Sequence, residues 1–196
     1  MNPIKTERLV LRNFTLGDWK ALHAMIVQYQ ASDLAAYDQA WPTSPEEIKG
    51  VTGWFASGDS YLAVCLKDTT QFIGFIALKP ESEEDNRVYN IGYIFDSNYH
   101  GKGYATEACR AALRHAFGYL QVRKVVTGTA AANRASCRLL ERLGFQKIAE
   151  STGSLRTGAD GKPIQFLGYT YALSRDAWLG AEKREVATLP KISGSQ

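Results

Sequence analysis

Two glycines lie in a short polar turn between an apolar strand and a helix, and this arrangement suits the binding of a phosphate group. The turn, residues 100–103, has the sequence His-Gly-Lys-Gly and continues directly into a helical segment from Tyr104. Gly101 and Gly103 leave main-chain N–H groups unobstructed, and the first N–H groups of the helix point to the same spot with the positive end of the helix dipole. We therefore predict a phosphate-bearing ligand at this turn.

A pair of glycines separated by one residue is not specific by itself, because it also forms tight strand-to-helix connections. A nucleotide P-loop requires Ser or Thr after Gly-Lys, where this chain has Gly103. A dinucleotide-binding turn requires a third glycine, where this chain has Thr106. Both nucleotide motifs are disfavoured, and a purely structural turn remains the alternative to phosphate binding.

A second motif follows in residues 133–145, with the sequence Asn-Arg-Ala-Ser-Cys-Arg-Leu-Leu-Glu-Arg-Leu-Gly-Phe. Asn133 is placed to cap a helix, Gly144 to end it, and Phe145 to begin the next strand. These local roles account for each of the three residues alone. The specificity comes from the order of the two motifs along the chain.

Together the two motifs resemble those of the GNAT superfamily of N-acetyltransferases, in the branch that includes the ribosomal-protein N-terminal acetyltransferases. The acetyl-CoA signature of that family is Arg/Gln-x-x-Gly-x-Gly/Ala, and residues 100–105 match it except that His100 replaces the usual Arg or Gln. Because the family holds the pyrophosphate mainly through main-chain amides, the change affects a side-chain contact. The resemblance extends from about Lys5 to Trp178.

The resemblance implies a mixed α/β domain, with a mostly antiparallel central sheet flanked by helices. It also implies a V-shaped splay between two central strands, one ending at Phe95 and the other at Thr129. The implied acetyl donor is acetyl-CoA, with no metal, and its pantetheine arm would pair with the main chain of Ile94 and Phe95. The predicted acetyl-CoA-binding residues are Ile94, Phe95, His100, Gly101, Lys102, Gly103, Tyr104, Ala105, Thr106, Asn133 and Ser136.

Acetylation of an amine needs a neutral nucleophile, a donor for the oxyanion and a proton for the departing thiolate. Many relatives supply that proton from a tyrosine where this chain has Leu140. Ser136, one helical turn earlier, is the predicted partner of the sulfur, and a serine at a helix start is the structural alternative. Relatives often carry a glutamate as general base where this chain has Asn90, whose amide cannot usefully accept a proton. Glu150 is therefore the predicted general base. A solvated surface position for Glu150 and a water chain as base are the alternatives.

The acceptor is predicted to lie opposite the cofactor, between residues 33–41 and the hairpin at residues 151–163. Carboxylates and aromatic faces in the first segment suit a cationic amine, although an ordinary loop between helices is the alternative. The predicted acceptor-binding residues are Asp33, Tyr37, Asp38 and Trp41. We expect a primary amine, on a protein N-terminus or on a small molecule such as an antibiotic. A CoA-binding sensor without catalysis is the non-enzymatic alternative.

Hydrophobic periodicity predicts the elements that position these residues. The predicted order begins with a strand at 4–14, helices at 16–30 and 44–58, and an antiparallel meander of strands at 61–66, 71–78 and 88–95. A helix at 104–119, a strand at 124–129 and a helix at 135–143 follow. Two last strands, one from 145 and one at 164–173, are joined by a turn at 160–161. This order indicates a mixed α/β sheet rather than a uniformly parallel one. The length and composition fit a single domain, which we place at residues 1–178. Residues 179–196 are expected to form a loosely held tail.

The composition excludes several classes of protein. The 196 residues are 45% hydrophobic and 22% charged, with a nearly balanced net charge of +3 and no basic run, so nucleic acid is not an expected partner. We expect no signal peptide and no membrane-spanning segment. Three cysteines without CxxC spacing argue for a reducing, cytoplasmic location and against structural zinc. A homodimer is plausible by analogy with the family.

Overall fold

The structure is a computed structural model that describes residues 1–82 and 84–188. The strands are β1 (Ile4–Lys5), β2 (Leu9–Asn13), β3 (Tyr61–Leu66), β4 (Phe72–Pro80), β5 (Val88–Phe95), β6 (Lys124–Ala130), β7 (Gln146–Gly153) and β8 (Phe166–Ser174). The helices are α1 (Trp19–Gln30), α2 (Pro45–Ala56), α3 (Tyr104–Arg114), α4 (Arg134–Arg142) and α5 (Arg175–Thr188). The predicted order of elements is confirmed with two exceptions: the first predicted strand is a short hairpin of β1 and β2, and helix α5 follows the last predicted strand.

The strands form one sheet in the order β1-β2-β3-β4-β5-β6-β8-β7, and every neighbouring pair is antiparallel except β5 and β6. Side chains alternate across this sheet as strand geometry requires. On β3, Val64 joins the core beneath α3 and α4, whereas Ala63 and Cys65 join the core beneath α1 and α2. Helices therefore cover both faces, and the predicted mixed α/β architecture is confirmed.

The parallel pair β5 and β6 is joined only at its beginning. Val88, Tyr89 and Asn90 pair with residues 124–126, and the register stops there. Beyond that point β6 continues to pair with β8 as far as Ala130, and β5 continues to pair with β4. The facing main-chain edges of β5 and β6 thus separate, and the predicted V-shaped splay is confirmed.

Local sequence signals explain the ends of several elements. The Ser44 hydroxyl oxygen accepts a hydrogen bond from the Glu47 main-chain N–H at 3.3 Å, and Pro45 occupies the first turn of α2. The predicted helix after β5 ends as α3 at Arg114 and continues as one π-helical turn, His115–Tyr119. The turn before β8 contains Gly161 at φ +78°, as the predicted Asp-Gly turn requires.

The C-terminal segment differs from the predicted loose tail. Helix α5 runs from Arg175 to Thr188, and Glu182 accepts a hydrogen bond from Arg114 Nε at 2.7 Å. Helical hydrogen bonding and this ion pair hold part of the segment that composition alone indicated to be loose. The remaining predicted tail, residues 189–196, lies outside the described residues.

Candidate active site

A cavity of about 510 Å³ fills the gap where β5 and β6 diverge. Its walls come from both strands, from the start of α4, from the segment after α1 and from the β7–β8 hairpin. The lining residues used below are Tyr29, Tyr37, Asp38, Trp41, Lys79, Asn90, Tyr93, Ile94, Asn133, Ser136, Ser151 and Leu155. The cavity therefore connects the end of β5 with the segment that was predicted to receive the acceptor.

The glycine turn at the start of α3 adopts the geometry that its sequence predicts. Gly101 lies at φ +73° and Gly103 at φ +81°, both in the left-handed region that favours glycine. Gly103 is the N-cap residue of α3, and residues 104–106 form the first helical turn. Within the described part of the chain, the main-chain N–H groups of residues 101–106 have no hydrogen-bond acceptor. Oriented, unpaired N–H groups at a helix start fit a pyrophosphate.

An ion pair between the N-terminal strand region and α3 braces this turn, and sequence reasoning missed it. Arg8 Nε donates to Glu107 at 2.7 Å, and the Thr6 hydroxyl donates to the same carboxylate at 2.6 Å. The Arg8 guanidinium also donates to the Lys102 carbonyl at 3.0 Å and lies 4.6 Å from the centre of the Tyr104 ring. Burial opposes ionisation of Glu107, but hydrogen bonds from Thr6 and Arg8 outweigh it and lower its pKa.

The side chains of the turn itself bind back onto the protein. His100 Nε2 lies 2.9 Å from the Phe95 carbonyl oxygen, which places the ring across the end of β5. Lys102 Nζ donates to the Asn98 carbonyl at 3.0 Å and lies 5.3 Å from the centre of the Tyr99 ring. These contacts give His100 and Lys102 a role in shaping the turn. The Phe95 carbonyl oxygen, which was predicted to pair with the pantetheine arm, is already in contact with His100.

The predicted cofactor residues fall into two groups. Ile94, Asn133 and Ser136 line the cavity, on opposite sides of the splay. The glycine turn lies outside that lining, and Gly103 and Thr106 instead border a second groove of about 770 Å³ beside Arg8. The structure thus separates a turn built from main-chain groups from a deeper cavity.

Ser136 forms a hydrogen bond that the sequence did not predict. Its hydroxyl oxygen lies 2.8 Å from the Tyr93 hydroxyl oxygen, and its main-chain N–H donates to Asn133 Oδ1 at 3.0 Å. Asn133 is thus the helix cap, which leaves the Ser136 hydroxyl available for the cavity. Burial raises the pKa of Tyr93 well above its usual range. Leu140, where relatives carry a tyrosine, is buried in the core.

Glu150, the predicted general base, lies in a solvated position. It lies on the edge strand β7, its side chain is 55% exposed, and its carboxylate lies 3.4 Å from Lys147 Nζ. It is not among the residues that line the cavity, although its neighbour Ser151 is. Solvation and an ion pair therefore account for Glu150. Asn90 does line the cavity, and it pairs with Lys79 on the neighbouring strand β4.

The acceptor-side residues are brought together with one exception. Tyr37, Asp38 and Trp41 line the cavity. Asp33, at the start of the 3₁₀ turn that ends at Tyr37, is exposed and does not line it. The Tyr29 hydroxyl donates to the Asp38 carboxylate at 2.8 Å, which orients that carboxylate. Burial, followed by the Asp38 charge, raises the pKa of Tyr29, so its phenol stays protonated.

A long-range contact joins this segment to the β7–β8 hairpin. Arg156 Nε donates to the Asp38 carbonyl at 2.8 Å, and its guanidinium also donates to the Gln39 carbonyl at 3.1 Å and to Gln30 Oε1 at 2.6 Å. The Tyr37 and Phe166 rings lie 5.8 Å apart across the same junction. Arg156, which sequence reasoning missed, therefore holds together the two segments expected to enclose the acceptor.

Comparison with known proteins identifies the class to which this fold and cavity belong. Residues 8–146 match the family model of the acetyltransferase (GNAT) domain. The chain belongs to the GNAT family of acetyltransferases, and the resemblance drawn from its two motifs is confirmed.

Individual relatives agree with this assignment. The chain is 29% identical over 147 residues to the uncharacterized N-acetyltransferase YnaD of Bacillus subtilis. The aligned region covers 74% of this chain and 82% of that protein. A GNAT-family acetyltransferase from Bacillus anthracis has the same fold, with a TM-score of 0.74, 23% identity and coverage of 89% and 99%. The ribosomal-protein-S5-alanine acetyltransferase of Vibrio fischeri superposes with a TM-score of 0.74 at 18% identity, over 91% of this chain and 99% of that one.

The described residues contain neither a candidate membrane span nor a candidate metal-binding cluster. No helix in the described part of the chain combines the length and apolar character needed to cross a membrane. Within residues 1–82 and 84–188, no three His, Cys, Asp or Glu side chains are grouped so that they could hold a metal ion.

Proposed function

We propose that the protein transfers the acetyl group of acetyl-CoA to a primary amine. The observation that carries this proposal is the splay of β5 and β6, with the glycine turn outside it and an acceptor-side cavity within it. The unpaired N–H groups of residues 101–106 would hold the pyrophosphate. The free main-chain edge of β5 near Ile94 would pair with the pantetheine arm, whose amides offer matching donors and acceptors.

The reaction then takes place between the two walls of the cavity. The bound ammonium group first releases a proton to water. The neutral amine nitrogen then forms a C–N bond to the thioester carbonyl carbon, the C–S bond breaks, and its electron pair goes to the sulfur. The proton that the amine loses passes through water to the sulfur, so that CoA leaves as a thiol. Ser136 is placed to donate a hydrogen bond to the sulfur as charge develops there.

Asp38 keeps its predicted role as an acceptor-binding residue in this proposal. Its carboxylate is oriented by Tyr29 and lies in the acceptor wall, where it would attract the ammonium form of the acceptor. Among the described residues that line the cavity, Asp38 and Lys79 are the charged ones. A polyamine or an aminoglycoside would bring several positive charges to one carboxylate. The cavity therefore favours an acceptor with a single ammonium group next to apolar or aromatic parts.

A protein N-terminus meets this description, because its α-amine is one charge on a chain of neutral amides. The fold is shared with a ribosomal-protein-S5-alanine acetyltransferase. A small monoamine is the second acceptor that the same charge balance permits. The aromatic residues Tyr37 and Trp41 in the wall suit either one.

Two measurements test the proposal. Titration calorimetry with acetyl-CoA tests the donor, and binding of NADH or ATP without acetyl-CoA would contradict it. Thiol release from acetyl-CoA, followed with peptides of varied N-terminal residue, small monoamines, polyamines and aminoglycosides, tests the reaction. We expect release with peptides or monoamines. Tight CoA binding without release on any amine would instead support a non-catalytic sensor.

A further inference from the structure

A pair of hydroxyl groups bridges the two walls of the cavity below the acceptor side. Tyr93 lies on β5 and Ser136 in the first turn of α4, on opposite sides of the splay, and their oxygens are 2.8 Å apart. Both residues line the cavity. The Tyr93 and Ser136 side chains thus meet in the region where β5 and β6 no longer pair.

The surroundings of Ser136 leave its hydroxyl free to act in the cavity. Asn133 Oδ1 accepts the Ser136 main-chain N–H, so the serine side chain is not needed as the helix cap. A serine hydroxyl offers one donor and two acceptor positions. When Tyr93 donates to the oxygen, the serine proton remains available for a third atom.

Either oxygen can donate in this hydrogen bond, and the surroundings of Tyr93 keep its phenol able to be the donor. Burial raises the pKa of its phenol, which keeps the proton on the oxygen throughout the neutral pH range. The Tyr93 ring lies against the core beneath α3 and 6.3 Å from the Phe95 ring. A protonated phenol held in this way can donate to Ser136 whenever Ser136 donates its own proton to another atom.

We propose that Tyr93 is a positioning residue that orients the Ser136 hydroxyl toward the sulfur of the departing thiolate. This inference rests on the proposed acetyl transfer. As the C–S bond breaks and its electron pair moves to sulfur, Ser136 donates a hydrogen bond to the sulfur and Tyr93 donates one to Ser136. The two bonds polarise each other, so the chain stabilises the developing charge more than an isolated serine would. Neither hydroxyl loses its proton, and the sulfur takes the amine's proton through water.

This arrangement also accounts for the missing tyrosine on α4. Leu140 is 1% exposed within the core, so that position does not present a polar group to the cavity. Tyr93 supplies a phenol from the opposite wall, and it acts on the sulfur through Ser136.

The test compares four enzymes: the wild type, Tyr93→Phe, Ser136→Ala and the double variant. For each, kcat is measured with saturating acetyl-CoA and acceptor, at a temperature at which all four are folded. We expect Tyr93→Phe to lower kcat about fivefold and Ser136→Ala about tenfold, as for loss of one hydrogen bond made in the transition state. Because Tyr93 acts through Ser136, the double variant should be no slower than Ser136→Ala alone.

Two further readouts separate this role from a structural one. The dissociation constant of acetyl-CoA and the acceptor KM should stay within about twofold of the wild type in every variant, because the chain acts only in the transition state. The matched control is Tyr89→Phe, which removes a phenol on the same face of β5 outside the cavity. This control should leave kcat unchanged.

Three outcomes would overturn the inference. Multiplied effects of the two substitutions would make Tyr93 independent of Ser136, and an unchanged kcat in Tyr93→Phe would remove Tyr93 from the reaction. A loss of acetyl-CoA affinity equal to the loss in kcat would assign Tyr93 to ground-state binding. If the wild-type enzyme releases no thiol with any amine, the proposed acetyl transfer fails together with this inference. If the wild type is active and one of the three outcomes above is found, only the role of Tyr93 fails.

Discussion

The donor end and the acceptor end of the site are built in different ways. At the donor end, main-chain N–H groups of residues 101–106 do the proposed work, and two glycines at positive φ expose them. At the acceptor end, side chains from α1, the segment after it, β4 and the β7–β8 hairpin meet across the cavity. A site made of main chain leaves a short local motif, whereas a site made of side chains leaves its residues scattered along the sequence.

The two ends also differ in how they are held. The glycine turn is braced by Arg8, which is ion-paired with Glu107 and bound to the Lys102 carbonyl. The acceptor wall is braced by Arg156, which binds the main chain on either side of the Asp38–Gln39 peptide bond. Each arginine connects segments that are distant in sequence. Substitutions at the two ends should therefore affect donor and acceptor binding separately.

The largest expected effect is on the donor end. Gly103→Ala should weaken acetyl-CoA binding about tenfold or more, because strain at φ +81° of about 1–3 kcal/mol would turn the N–H groups away from the pyrophosphate. Titration calorimetry measures this. The matched control is Gly50→Ala on α2, where an added Cβ meets nothing within 4 Å. Equal affinity of Gly103→Ala and the wild type would contradict the main-chain site.

The next effect is on the acceptor end. Asp38→Asn should raise the acceptor KM about tenfold, the value of one charged hydrogen bond, and leave the acetyl-CoA dissociation constant unchanged. Steady-state kinetics with the best peptide or monoamine measures this. Asp33→Asn changes the same residue type outside the cavity lining and should change nothing. Equal KM values for the two variants would remove Asp38 from acceptor binding.

A smaller effect concerns the brace of the glycine turn. Because the folded pKa of Glu107 is lowered below its ordinary value of 4.5, its ionised form stabilises the fold above that pH. This contribution is lost as the pH falls through the folded pKa. At neutral pH, Glu107→Gln should lower Tm by about 2–4 °C. The difference from the wild type should shrink below about pH 4.5. Thermal unfolding across pH measures it, and a difference that grows on acidification would contradict the brace.

The smallest effect is expected at Glu150. Because its carboxylate is solvated and lies near Lys147, Glu150→Gln should leave kcat and both KM values within about twofold of the wild type. The pH–rate profile should also be unchanged. A large fall in kcat with loss of the acidic limb of the pH–rate profile, where the rate rises as the base loses its proton, would restore Glu150 as the general base and remove the need for water.

The amino-acid sequence by itself determined the order of the elements, the glycine turn and the family. Capping residues such as Ser44, the alternating strands and the positive-φ glycines act through neighbours in the chain, so their consequences are local and predictable. The two motifs predicted the splay because they belong to a fold in which it recurs. The boundaries that shifted, as at β1 and β2 or in α5, depend on packing partners elsewhere in the chain.

Only the tertiary structure decided which side chains meet in the cavity. Tyr93 and Ser136 are 43 residues apart, and Arg156 reaches the Asp38 carbonyl across 118 residues, so neither contact leaves a local pattern. Residue type alone made Glu150 and Asp33 as plausible as Asp38. Their exposure differs because the strands and loops around them place one carboxylate in the cavity and leave the other two in solvent.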